Sequence, residues 1–169
     1  AGRKYDISSG LVAGQRPQAA LPQLANVGDE IKTAGSEQRR LTLPDGSVLF
    51  VDQNTHAKLV GEREIEVTQG EIFVEVAPKV LPDETRGTFL VKTQKRTVTA
   101  LGTKFGVRTG DEPRVLVTQG KVEVSDIAQP LSAGQQFVIA DGGEQIVETA
   151  PRADVALDWM RDLVVAAAG

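Results

Sequence analysis

"RLTLPDGSVLFV" (Arg40–Val51) carries two alternating apolar runs on either side of Asp45-Gly46. Leu41 and Leu43 are apolar at odd positions, Val48 and Phe50 at even ones. A two-residue turn accounts for the change of parity, because the residues flanking such a turn pair on one face. With Asp45-Gly46 as the turn, Leu43 faces Val48 and Leu41 faces Phe50. Asp-Gly suits the type I′ geometry, which needs positive φ at both central positions. Pro44 then falls at a strand end, where its missing N–H does little harm. The stretch predicts a β-hairpin.

Working outward, "VTQG" occurs at Val67–Gly70 and again at Val117–Gly120, an offset of 117 − 67 = 50 positions. Ile65 and Val67 precede the first copy's glycine, and Ile72, Val74 and Val76 follow it. In the second copy Val115 and Val117 precede, and Val122 and Val124 follow. Both change parity across Gln-Gly, so each copy reads as a strand end plus a reversal, with Gly70 and Gly120 supplying positive φ. The repeat is structural, with Gln69 and Gln119 facing solvent, rather than a binding motif used twice. A weaker echo joins "VGDEI" (Val27–Ile31) to "AGQQF" (Ala133–Phe137).

The expected fold is all-β. Repeated short strand–turn units form a β-roll, a short solenoid or a sandwich, with one C-terminal helix. Three regions follow: a Gly- and Pro-rich segment at 1–30 with room for short strands, a β domain at 31–147, and a helix or connector at 148–169. In the last, Asp154 caps a helix whose stripe is Val155, Trp159, Met160, Leu163 and Val164. A helix docked on the β domain and a connector to a following domain both remain open.

Composition limits the function. The chain has 169 residues, 40% hydrophobic, and buries enough surface for a core without staples. It has no cysteine, which excludes disulfides and thiolate metal sites. A net charge of −4 argues against general nucleic-acid binding. No apolar run approaches the roughly 20 residues that span a bilayer. "AGRKYDISSG" at the start has no apolar signal-peptide region, so the chain reads as a mature or trimmed fragment.

Chemistry is sparse. The single histidine, His56, stands in "DQNTHAKL" with no partner residues at triad or metal-ligand spacing. "GTKFG" (Gly102–Gly106) resembles a phosphate loop in composition only and falls between strands. Glu62, Glu64 and Glu66 share one strand face. Paired carboxylates can cleave glycosides, but aromatics make up only 4% of the chain, too few for sugar platforms, and these glutamates read as a solvent face. No catalytic residue, cofactor site or metal site is assigned. From Arg86 to Arg108 every charged residue is basic. Lys92, Lys95, Arg96 and Arg108 are the candidates for a patch that steers an acidic partner, with Lys92 and Arg96 on one face. The plainer reading is a solvated face balanced by Glu62, Glu64, Glu66, Glu71 and Glu75.

Taken in order, "GSEQRRLTLPDGSVLFVDQNTHAKL", "REIEVTQGEIFVEVAP", "FLVKTQKRTVTALGTKFGV", "VLVTQGKVEVSD" and "LSAGQQF" resemble the FecR domain over about Gly35 to Ile139. The resemblance implies an all-β, non-catalytic domain that works through protein contacts. It implies a place in the periplasm or cell envelope, as in the regulators of iron–siderophore uptake that relay a receptor's signal to a sigma factor. Asp45, Gly46 and Ser47 match the family's DGS turn, and Gly102 and Thr103 its LGT turn. These are structural positions; no binding residue carries over. No membrane helix or cytoplasmic regulatory segment precedes the match, and no receptor-like subdomain is evident after it. The chain therefore reads as an excised module or as a FecR domain in another architecture. A spacer domain of a larger envelope protein, or a carbohydrate-binding β protein, are the alternatives.

Overall fold

Alternating apolar residues become twelve strands in the computed structural model, which describes residues 23–77, 88–139, 143–149 and 158–160. They are β1 Glu30–Lys32, β2 Arg39–Thr42, β3 Val48–Val51, β4 His56–Gly61, β5 Glu64–Gln69, β6 Glu71–Glu75, β7 Phe89–Lys92, β8 Thr97–Arg108, β9 Arg114–Val124, β10 Leu131–Ser132, β11 Gln135–Ile139 and β12 Gln145–Thr149. All join one open sheet. Every pairing between strands is antiparallel except β5 with β7.

Two long strands give the sheet its shape. β8 pairs with β7 through Thr97–Ala100 and with β6 through Lys104–Arg108. β9 pairs with β10 through Lys121 and Val122, and with β11 through Arg114–Leu116. The sheet therefore has two halves. One runs β1-β4-β5-β7, the first part of β8, the last part of β9, then β10. The other runs β2-β3-β6, the last part of β8, the first part of β9, β11, then β12. The inward residues of both halves form one core: Ile31, Leu59, Ile65, Val91, Val98 and Val122 from the first, Leu49, Val74, Phe105, Val115 and Phe137 from the second.

The chain crosses between halves at Ser36, Asn54, Gly70, Gly102, Gly120 and Gly134, where φ lies between +53° and +93°. Main-chain hydrogen bonds continue across several of these corners: Asn54 N–H donates to Ala34 O (3.2 Å), Asp52 N–H to Glu71 O (3.0 Å), and Gly134 N–H to Val117 O (2.8 Å).

This architecture corrects three expectations and gives no support to a fourth, the C-terminal helix. The hairpin register differs by one: Leu41 pairs with Leu49 and Thr42 with Val48. Gly46 N–H donates to Leu43 O (2.9 Å) and Leu43 N–H to Ser47 O (2.8 Å), so the loop is three residues, Pro44-Asp45-Gly46, with Gly46 at φ +89°. Leu41, Leu43, Leu49 and Val51 thus share the core face, while Val48 and Phe50 lie on the opposite one. The two VTQG segments do not reverse the chain. β5 and β6 do not pair with each other, and Gly120 lies inside β9, as Gly102 and Thr103 lie inside β8. Both are bends from one half to the other. Glu62 sits in the turn between β4 and β5, so only Glu64 and Glu66 share a strand face. The C-terminal helix is absent from the described residues. Gln145–Thr149 alternates and pairs with β11, and Asp158–Met160 is a single 3-10 turn. Asp154, Val155, Leu163 and Val164 lie outside the described residues, as does most of segment 1–30; of that segment, Leu24 makes one parallel bridge to Thr42.

Candidate interaction surface

The repeated VTQG has a physical cause. At one corner Asn54-Thr55-His56 lies against Val67–Gly70; at the other, Gly102-Thr103-Lys104 lies against Val117–Gly120. In each, a residue with positive φ (Asn54 at +53°, Gly102 at +61°) precedes a buried threonine, Thr55 or Thr103. In each, the motif's threonine reaches back across the pair: Thr68 Oγ1 donates to His56 O (3.3 Å), and Thr118 Oγ1 to Lys104 O (3.2 Å). The motif's glycine then meets the buried threonine. A Cβ on Gly70 would stand 2.6 Å from Thr55 Cα, and one on Gly120 would stand 2.7 Å from Thr103 Cγ2 and 2.9 Å from Gly102 O. Both glycines are fixed by neighbouring chain as well as by φ. The Gln69 amide is exposed and donates to Asn54 O (3.1 Å).

The DGS turn is a clasp. Asp45 accepts from Ser47 N–H (2.8 Å) and Ser47 Oγ (2.9 Å), and Ser47 Oγ accepts from Ala77 N–H (2.8 Å). Arg63, from the turn between β4 and β5 in the other half, donates to Asp45 Oδ2 at 2.6 Å with both side chains buried. It also donates to Ala77 O and Thr88 O, and stands 5.9 Å from the Phe89 ring centroid. The clasp ties β3 and the end of β6 to the β4–β5 turn and the start of β7 in the other half.

Among the described residues, most of the basic segment has acidic partners within the domain. Lys92 pairs with Glu64 (3.0 Å) and Arg96 with Asp126 (3.0 Å); Lys104 reaches Glu75 (3.9 Å). Arg108 donates to Glu112 O (2.7 Å) and lies 3.9 Å from its carboxylate. Arg96 is buried, 5.5 Å from the Phe137 ring centroid, so it shares no solvent face with Lys92. Three of the four candidate cations, Lys92, Arg96 and Arg108, thus have acidic partners within the domain. Lys95 stays exposed in the turn between β7 and β8. It lines a cleft of about 270 Å³ with Thr93, Thr109, Gly110, Asp111 and Pro113. Asp126, which meets Arg96, lies outside the stretch from which the patch was read.

His56 is half-buried in β4 between Lys32 and Gln69. Glu66 lies between Lys58 and Lys92 in the strand register. Among the described residues no group of three or more His, Asp or Glu side chains is placed to hold a metal ion. Among them, too, no helix is long and apolar enough to cross a membrane.

One surface escaped the sequence reading. On the outer face of the second half, a cross-strand row runs Arg40, Phe50, Phe73, Gly106, Leu116 and Gln136. Phe50, Phe73 and Leu116 are all buried. Phe50 and Phe73 lie 6.3 Å apart at 60°, and Met160 and Trp159 of the 3-10 turn pack on them. The signal was present: "VLFV" and "EIFVEV" are apolar at both parities, as in strands covered on both faces. The next row holds Asp52, Glu71, Arg108 and Arg114. Glu71 is buried, and Arg114 donates to it at 2.8 Å. Burial pushes the Glu71 carboxyl above its ordinary pKa; Arg114 and then Arg108 oppose this, and Asp52 adds to it.

The FecR protein family model matches residues 29–123. Two crystal structures of a "putative anti-sigma factor" from Parabacteroides distasonis, at 1.65 and 2.50 Å, are similar to this chain. The first is 26% identical with a TM-score of 0.65, covering 76% of this chain and 63% of that one. The second is 26% identical with a TM-score of 0.64, covering 76% and 62%. This chain thus spans less than two thirds of that protein's length. No curated protein matches it. The family match takes in more than half of the chain and runs from the approach to β1 into the last part of β9: the chain belongs to the FecR protein family.

Proposed function

We propose that this chain is the non-catalytic protein-interaction module of an envelope signalling regulator, placed in the periplasm or at the cell surface. It relays a receptor's state toward a sigma factor, as in iron–siderophore uptake. Family membership supports the regulatory class, and the similarity to the Parabacteroides protein supports the anti-sigma side of the relay. We read the folded open sheet as the roll among the expected architectures.

One observation carries the mode of contact. Of the sheet's four outer strands, β1 and β10 have three and two residues. The outer edge of β2 is engaged by the preceding chain, for Ala25 N–H donates to Thr42 O (3.0 Å) and Thr42 N–H to Gln23 O (2.7 Å). β12 has five residues and pairs only with β11 among the described residues. Val147, at its centre, is 45% exposed. An edge of this length, unpaired among the described residues, offers main-chain donors and acceptors to an extended partner segment.

The test uses the intact regulator in its native cell. Val147→Lys places a charge on the exposed edge, where the fold tolerates it. Siderophore-induced transcription of the target promoter is expected to fall several-fold at unchanged protein level. An unchanged response in Val147→Lys would discard the β12 contact. An unchanged response after deletion of residues 30–149 would discard the relay and leave the spacer reading.

A further inference from the structure

We infer that the outer face built by Phe50, Phe73 and Leu116 is a docking surface whose occupant is the chain's own Trp159–Met160 turn, seated there exchangeably. The inference rests on the reading of this chain as a signalling module only for its biological use; the docking itself is a property of the isolated chain.

Four observations support it. First, the face is separate from the core. Phe50, Phe73 and Met160 form their own buried cluster, with Val48 and Trp159 at its margin, on the opposite side of β3 and β6 from Leu49 and Val74. Second, the segment seated on the face is a 3-10 turn, Asp158–Met160, which presents Trp159 and Met160 side by side. Third, the seat is specific in shape. Gly106 lies between Phe73 and Leu116 in the cross-strand row, so the row is low there between two bulky side chains. Arg40, at the end of that row, stands 6.0 Å from the Phe50 ring centroid. Fourth, the fit is polar-incomplete. Arg40 Nε, at the end of the row, is buried without a hydrogen-bond partner. A buried donor left unpaired weakens a contact that apolar area alone would favour. A large aromatic, a flexible thioether and an imperfect polar fit describe a contact that holds and also lets go.

The recognised chemistry is therefore an aromatic–thioether pair on a tight turn, and any segment presenting it would compete for the seat. The chain holds a single tryptophan, Trp159, so its fluorescence reports the seat directly. In the intact chain Trp159 emission is expected to be blue-shifted and shielded from acrylamide. A synthetic peptide of residues 150–169 carrying Trp159→Phe, which is itself dark, should displace the turn. Acrylamide quenching should then rise several-fold, with the far-UV spectrum unchanged. The same peptide carrying Met160→Asp should have no effect. In the chain itself, Met160→Asp alters the occupant rather than the sheet, and it should expose Trp159 at an unchanged sheet melting temperature. Shielding that survives millimolar peptide would show a fixed element of the core and overturn exchange. A Trp159 already fully quenched in the intact chain would overturn docking. Either result would leave the response to siderophore untouched, so failure here is distinct from failure of the relay.

Discussion

At the residue scale, glycines that look alike in the sequence carry different loads. Gly46, Gly70 and Gly120 all have φ near +90°. A Cβ on Gly46 would meet only Ala77 Cβ, at an ordinary 3.7 Å. Gly46→Ala therefore carries the left-handed penalty alone, about 1–2 kcal/mol. At Gly70 the added Cβ would press into the Thr55 backbone at 2.6 Å, and Thr55 is itself held by its hydroxyl, which accepts from Glu71 N–H (3.2 Å). Overpacking adds about 1–3 kcal/mol. Gly70→Ala should thus lose clearly more stability than Gly46→Ala in urea denaturation, and equal losses would show that Thr55 yields. The sequence made these positions visible as turn glycines. It did not show what they touch, because Thr55 and Thr103 lie 15 and 17 positions before Gly70 and Gly120 (70 − 55, 120 − 103) and approach them only in the folded sheet. The same holds for Asp45: the DGS turn was legible, but its buried partner Arg63 was not.

At the element scale, the repeat was legible as a repeat and misread as a reversal. A glycine between two alternating runs marks a hairpin when the runs pair with each other, and a corner when each pairs with a different neighbour. That choice belongs to β7, β8 and β3, which the local pattern does not name. The hairpin at Pro44-Asp45-Gly46 shows the same limit on a smaller scale. Two- and three-residue loops differ by one position in register, and apolar residues on both faces of "VLFV" satisfy either. The outer face adds a pH signature. Glu71 is raised by burial in the folded chain, so it holds its proton to higher pH than in the unfolded chain. Its contribution favours folding below the unfolded carboxyl value, 4.5, and is lost as pH rises through the raised folded value. Glu71→Gln keeps an acceptor for Arg114 and removes the titration. Native stability measured against Glu71→Gln should therefore improve as pH falls from 7 toward 4.5. The reverse slope would mean that Arg114 and Arg108 outweigh burial.

At the scale of the whole molecule, the two halves cannot melt apart, because their inward residues form one core and β8 and β9 run through both. The sheet should unfold as a unit. Exchange would place the Trp159–Met160 turn outside that unit. Fully burying a side chain such as Met160 contributes about 1.5–3 kcal/mol, and the half-buried Trp159 adds no more than that, so the pair contributes at most about 3–6. Ordering three residues of backbone opposes this with about 1–2 kcal/mol each, again about 3–6. The net is near zero, against roughly 5–15 kcal/mol for a domain. Trp159 emission and the far-UV signal of the sheet are therefore expected to follow different urea curves. The emission should shift red at low urea, over a broad range, while the sheet remains folded and then melts in one sharp step. Probes that coincide are the mark of a single cooperative unit. Coincident curves here would place the turn inside the cooperative core, and the aromatic face would then be an extension of that core rather than a seat.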